Sequence, residues 1–285
     1  MQTKNKTIRA FTLVEMLTTV AIIGILLAVL IPALSRVGQS ARVVRQRAQF
    51  QTLEIALETF RNDTGDYPPS AWNTDRYGFY SASQRLAEAI VGRDGFGFHP
   101  RSEFHFIGEG YDDAGEQVPL YAPAVNLADN PDNVAARKGP YLELESARAV
   151  NLALYALDYS AFIGDLPSYV LADSFQSTRL TDGRRIGMPI LYYRANRQRT
   201  DHSSVNLSGS TYDVRDAIGL SNDGLASVGN PPPPLSWNQD WFYDRTRNPN
   251  FTNRPYRAES FILHSAGPDG IFGTADDVFN FEEAN

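Results

Sequence analysis

From Phe11 to Leu34 the sequence FTLVEMLTTVAIIGILLAVLIPAL carries a single charge, Glu15, and the fifteen residues from Val20 onward have no polar side chain. As a helix rising about 1.5 Å per residue, this run reaches about 36 Å, against a bilayer hydrocarbon core of about 30 Å. It therefore predicts a segment able to span a membrane. The helical pattern does not stop there, because Val37, Ala41, Val44, Ala48, Leu53, Ala56 and Phe60 continue at helical spacing while Arg36, Arg42, Arg45 and Arg47 fall off that stripe. The second half is expected to be amphipathic and to end at Asn62-Asp63-Thr64-Gly65, ahead of Pro68-Pro69. Pro32 removes a backbone donor near the end of the apolar run and predicts a kink there.

Glu15 is the informative residue of the run. A carboxylate near a bilayer interior costs on the order of 2.5 to 3.5 kcal/mol on insertion scales, so a sequence that keeps one there has a use for it. The span holds no cation. The expected partner is therefore another chain or a newly made N-terminus. Two plainer readings compete. A secretory signal peptide, cut near Ala33-Leu34-Ser35, fits the basic start (Lys4, Lys6, Arg9), yet the run is long for such a peptide and should not contain Glu15. A simple membrane anchor gives Glu15 no role.

Composition narrows the rest. With no cysteine, disulfides and thiolate chemistry are excluded. Residues 1–62 carry eight Lys/Arg against three Glu, so the totals of 26 and 33 leave 18 against 30 for the remainder, a net of −12. An acidic head lacks the clustered cations that displace counterions from phosphates, so no nucleic-acid partner is expected.

Ala10-Phe11-Thr12-Leu13-Val14-Glu15 resembles the processing motif of type IV prepilins and type II secretion pseudopilins. The resemblance implies that a prepilin peptidase cuts between Ala10 and Phe11 and methylates the new amine, and that Glu15 pairs with the N-terminal amine of a neighbouring subunit. The family usually has Gly before the cut, where this chain has Ala10. This part of the likeness covers about the first 65 residues.

Beyond the helix, short apolar runs alternate with Gly, Pro, Asn and Asp, which reads as loops and short strands. Residues 83–91 and 146–157 have helical spacing; Pro189–Tyr193, Ser260–His264 and Val278–Phe281 read as strands. Asp66-Tyr67-Pro68-Pro69, Gly139-Pro140-Tyr141-Leu142, residues 187–193 and the tail from Ser265 to Asp277 resemble, in order, the head of the major pseudopilin of type II secretion. Long stretches around 95–138, 143–180 and 195–255 enlarge this head. The expected fold is α+β and pilin-like, a long N-terminal helix on a small antiparallel sheet. Its expected parts are a leader (1–10), a transmembrane half-helix (11–34), an amphipathic half-helix (35–62) and a head (63–285).

Asp269, Asp276 and Asp277 stand among Gly267, Gly270 and Gly273. Ca²⁺ takes six to eight oxygens at about 2.3–2.6 Å, and a glycine-rich loop can aim carboxylates and carbonyls at one point. The alternative is a pair of solvated Asp/Gly turns, and the residues alone leave both open. The likeness to the pseudopilin tail loop implies Ca²⁺. His99, Glu103 and His105 match no zinc spacing, and no nucleophile or phosphate-loop motif is present. The expected role is thus a non-enzymatic filament subunit for protein export, held by membrane lipid and an inner-membrane assembly platform, with its head in the periplasm. A minor pilin of a true type IV pilus and a membrane-anchored enzyme or binding module are the alternatives.

Overall fold

The computed structural model describes residues 12–71, 73–75, 78–155, 167–203, 205, 209–217 and 239–282. Helix α1 runs from Leu13–Thr64 and continues through Pro32 rather than ending there. Backbone contacts divide the chain into two units, the first ending at Arg42 and the second starting at Val43.

In the first unit the apolar side chains of α1 are on the outside. Leu13, Leu17, Val20, Ile25 and Ile31 are each more than 60 % exposed. The described side chains break off at Val29 and at residues 32–36. Among the described residues no helix is long and apolar enough to cross a membrane. The spanning segment 11–34 thus stands on the sequence alone, since its apolar run passes through those positions.

In the second unit α1 buries Gln46, Phe50, Leu53, Ala56, Leu57 and Phe60. These recur every three or four residues, the period of one helix face. The sequence stripe must be corrected here, because Val37 and Val44 are 65 % exposed and Ala41 and Ala48 are exposed too. The five-residue step from Ala48 to Leu53 is the cause. At about 100° per residue it rotates the stripe onto the opposite face, so the run joined two faces into one.

The strands of the head are short and antiparallel. They are β1 (Asn73–Asp75), β2 (Gly78–Tyr80), β3 (Glu109–Tyr111), β4 (Gln117–Pro119), β5 (Ala149–Asn151), β6 (Tyr169–Leu171), β7 (Thr178–Arg179), β8 (Arg185–Ile186), β9 (Leu191–Arg194), β10 (Phe261–Ser265) and β11 (Val278–Phe279). The first eight pair off as four hairpin-like ladders, and the last three form a sheet in the order β11-β10-β9. Ile262 faces Tyr193 and Leu263 faces Tyr192 across its centre. Tyr192, Phe261 and Leu263 share one core with Phe50, Leu53 and Leu57 of α1 and with α2 (Ala82–Val91). Leu191, Tyr193 and Ile262 point the other way, into a core with Val150, Tyr155, Val170, Tyr212 and Phe242. The sheet is therefore covered on both faces, and the enlarging segments supply the second cover.

Helix α2 begins with a capping box in which Ser81 and Gln84 satisfy each other's backbone N–H. All ten of its residues are buried, Glu88 included. The Glu88 carboxylate accepts hydrogen bonds from Tyr80, Ser102 and Tyr121 hydroxyls, which ties the segment after residue 95 to this helix. The helix expected at 146–157 does not form. Arg148 adopts φ 54, a helix-breaking conformation, and Ala149–Asn151 pair with Tyr169–Leu171 instead. Tertiary pairing overrides local spacing there. Shorter helices α3 (Pro131–Ala135) and α4 (Gln239–Thr246) complete the head.

The end of α1 is clasped to β9. Arg194 and Arg197 both pair with Asp66, Arg194 also donates to the Tyr67 carbonyl, and the Tyr192 hydroxyl donates to the Pro68 carbonyl at 2.8 Å.

Candidate functional site

At the start of α1 the Thr12 N–H and Thr12 Oγ1–H both donate to Glu15 Oε2, at 2.9 and 2.8 Å. The Glu15 N–H returns a bond to Thr12 Oγ1 at 3.2 Å. This is a capping box, with Thr12 as the cap and Glu15 three residues on, and it supplies acceptors for N–H groups that a helix start leaves unpaired. The expectation that Glu15 depends wholly on another chain is corrected by this bond, since Thr12 holds one of its oxygens. Glu15 Oε1 takes no partner among the described residues. Ala10 and Phe11 lie outside the described residues.

The chain matches the prokaryotic N-terminal methylation motif over residues 5–31. The methylation motif is the mark of prepilin-type processing and of pilin-like assembly, and it makes this N-terminus type IV pilin-like. No curated protein and no solved structure matches the chain. The methylation motif ends well before the head, whose α+β architecture is known from its own coordinates.

The tail loop lies between β10 and β11. Gly267 sits at φ +67, where a Cβ would come within 2.2 Å of the Asp276 carbonyl oxygen, so the close return of the loop requires glycine. That return brings carboxylates together. The Asp269 N–H donates to Asp276 Oδ2 at 3.0 Å, and the Ile271 N–H donates to Asp269 Oδ1 at 2.8 Å. Thr274 Oγ1 stands 2.5 Å from Asp276 Oδ1 and 3.3 Å from Asp277 Oδ1. A hydroxyl has one proton, so it cannot satisfy both carboxylates at once. Burial, and then the charge of Asp276, push the Asp269 carboxyl above its usual range.

Asp277 is divided between the loop and the core. Its Oδ2 accepts the Gly273 N–H at 2.8 Å and meets Nε2 of His264 at 2.6 Å. Among the described residues no three His, Asp or Glu side chains already stand as a ready-made metal cage. The donor chemistry nonetheless fits a hard cation, since three all-oxygen side chains converge on one hydroxyl with a deficit of protons. Sequence reasoning found Asp269, Asp276 and Asp277 but missed Thr274 and His264. The T-x-x-E spacing of Thr12 and Glu15 was a legible capping signal, whereas thirteen residues separate His264 from Asp277 and no local pattern joins them. His105 pairs with Glu103 at 3.2 Å while His99 Nδ1 accepts the Arg101 N–H, so the two imidazoles are engaged separately.

Proposed function

We propose that this chain is a structural subunit of a type IV pilin-like filament that supports protein export, of the kind formed by type II secretion pseudopilins. The carrying observation is the conjunction of the methylation motif at residues 5–31 with an apolar half-helix whose side chains find no cover in their own chain. Such a surface is stable only in lipid or against other helices, which are the two environments of a membrane precursor and of a filament. In this reading a prepilin peptidase cuts at Ala10–Phe11, the segment 11–34 holds the precursor in the inner membrane, and the head faces the periplasm. Thr12 fixes one oxygen of Glu15, and the other is offered to the amine of a neighbouring copy during transfer from the assembly platform. The protein acts by assembly, not by catalysis. The Asp269, Asp276 and Asp277 carboxylates hold Ca²⁺, which neutralises their mutual repulsion and keeps the tail loop closed without a disulfide. The tail-loop likeness favours the secretion role over that of a minor pilin in adhesion, motility or DNA uptake.

Intact mass of the mature protein tests the reading, with Phe11 expected as the first residue, carrying a methyl group. A mature start near Arg36 would show an ordinary signal peptide and end the filament reading. For Glu15→Ala the expected outcome is a folded, membrane-bound protein that no longer appears in sheared filaments, because the change removes a partner for a neighbour and only one helix cap, worth about 1 kcal/mol.

A further inference from the structure

We infer that His264 is a positioning residue for the tail-loop cation site, orienting Asp277 so that one carboxylate oxygen is fixed and the other is turned to the loop. The inference rests on the Ca²⁺ reading above and adds the residue that sets how well that site binds.

The side chains of His264 and Asp277 are both fully buried. His264 Nε2 and the Gly273 N–H converge on the same oxygen, Oδ2, at 2.6 and 2.8 Å. Two fixed donors on one oxygen settle the torsion of the carboxylate. Its other oxygen, Oδ1, then lies on the side of Thr274, 3.3 Å from that hydroxyl. The imidazole is itself held. Phe279 stacks on it at 4.4 Å and 18°, Trp241 lies at 6.0 Å, and Phe272 meets it edge-on at 5.3 Å. A ring so enclosed has one rotamer, and it passes that order to Asp277. Partners that orient a ligand in this way commonly alter metal affinity by about 10- to 100-fold. The placement of His264 follows from β10, whose neighbours Leu263 and Ser265 turn to the opposite face. A histidine that only relieved the burial of Asp277 would stabilise the fold and leave cation affinity alone.

The test is a calorimetric titration of the full-length chain in lipid nanodiscs with Ca²⁺, for wild type, Asp276→Ala, His264→Phe and His264→Gln. Wild type is expected to bind one Ca²⁺ and Asp276→Ala to lose it. His264→Phe keeps a ring among the aromatics but has no donor, and should weaken Ca²⁺ by about 10- to 100-fold. His264→Gln, which retains an N–H, should recover part of that loss. In wild type the Nε2 resonance of His264 should move on Ca²⁺ addition. Absence of binding by wild type would break the calcium reading itself. Wild-type binding with equal affinity in His264→Phe, or an Nε2 resonance indifferent to Ca²⁺, would overturn the positioning role and leave the calcium reading standing. Should His264→Phe fail to fold, His264→Gln and the resonance decide.

Discussion

The two halves of α1 carry comparable amounts of apolar surface and use it in opposite ways. Up to Arg42 the helix wears Leu, Ile and Val outward on its described positions, whereas from Val43 it concentrates them on one stripe packed against the sheet and α2. The polar residues differ in the same sense. Glu15 in the first half bonds only to its own helix start, while Gln46 and Gln49 in the second half reach the Ala172–Ser174 backbone more than 120 residues away. Apolar content alone thus does not tell which part of a helix belongs to a fold. The tertiary bonds made by its polar residues do.

The sharpest way to break this comparison is to cut one large side chain from each half. Phe50→Ala opens a cavity between α1 and β10 and should cost about 3 to 5 kcal/mol in a urea melt of the head. Leu17→Ala, in the first half, should leave that melt within about 0.5 kcal/mol. Equal losses would mean that the first half also packs on the head.

A second test concerns pH at the seam that Gln46 and Gln49 make. Asp173, buried beside Ser174, accepts bonds from Ser265 Oγ and the Phe175 N–H, and burial raises its pKa to about 7 from an ordinary 3.8. An acid whose folded-state pKa is raised binds a proton more readily in the folded state. Its contribution is present in full below the ordinary value and is lost as pH rises through about 7. Between pH 5 and 7 wild type should therefore lose up to about 1.4 kcal/mol per pH unit relative to Asp173→Asn, the other titrating groups being common to both. A wild-type minus variant difference that stays flat with pH would show the carboxylate to be charged throughout. The smallest effect is expected at Val44, on the exposed face of the second half, where Val44→Thr should change head stability by less than about 0.5 kcal/mol.

Much of this was legible in the sequence, unevenly and for physical reasons. The helix was readable because it is long, and its end at Thr64 falls within two residues of the expected stop at Asn62. The strands at 191–194 and 261–265 were readable because buried β-branched, aliphatic and aromatic residues follow one another between turn signals. The helix read at 146–157 failed because a strand partner some twenty residues further on outweighs local periodicity. Of the candidate sites, the residues near Glu15 were clear since the whole motif is contiguous. The tail carboxylates were found through their spacing among glycines, but Asp277 was read as facing the loop alone. Its second attachment, to His264, is made across a sheet and leaves no trace in sequence spacing.

The clasp at the end of α1 bears on how this head would carry mechanical load. A pull along the helix reaches the head at residue 66, and the first bonds in line are the two guanidinium pairs of Asp66 with Arg194 and Arg197. Behind them stand the weaker neutral bond of Tyr192 to the Pro68 carbonyl and the bond from the Arg194 N–H to Ser70 Oγ. In a series of attachments loaded from one end, the leading one takes the tension and those behind are shielded while it holds. Placing the doubled, charge-assisted attachment in front makes Asp66 the residue whose grip sets the force at which helix and sheet part company.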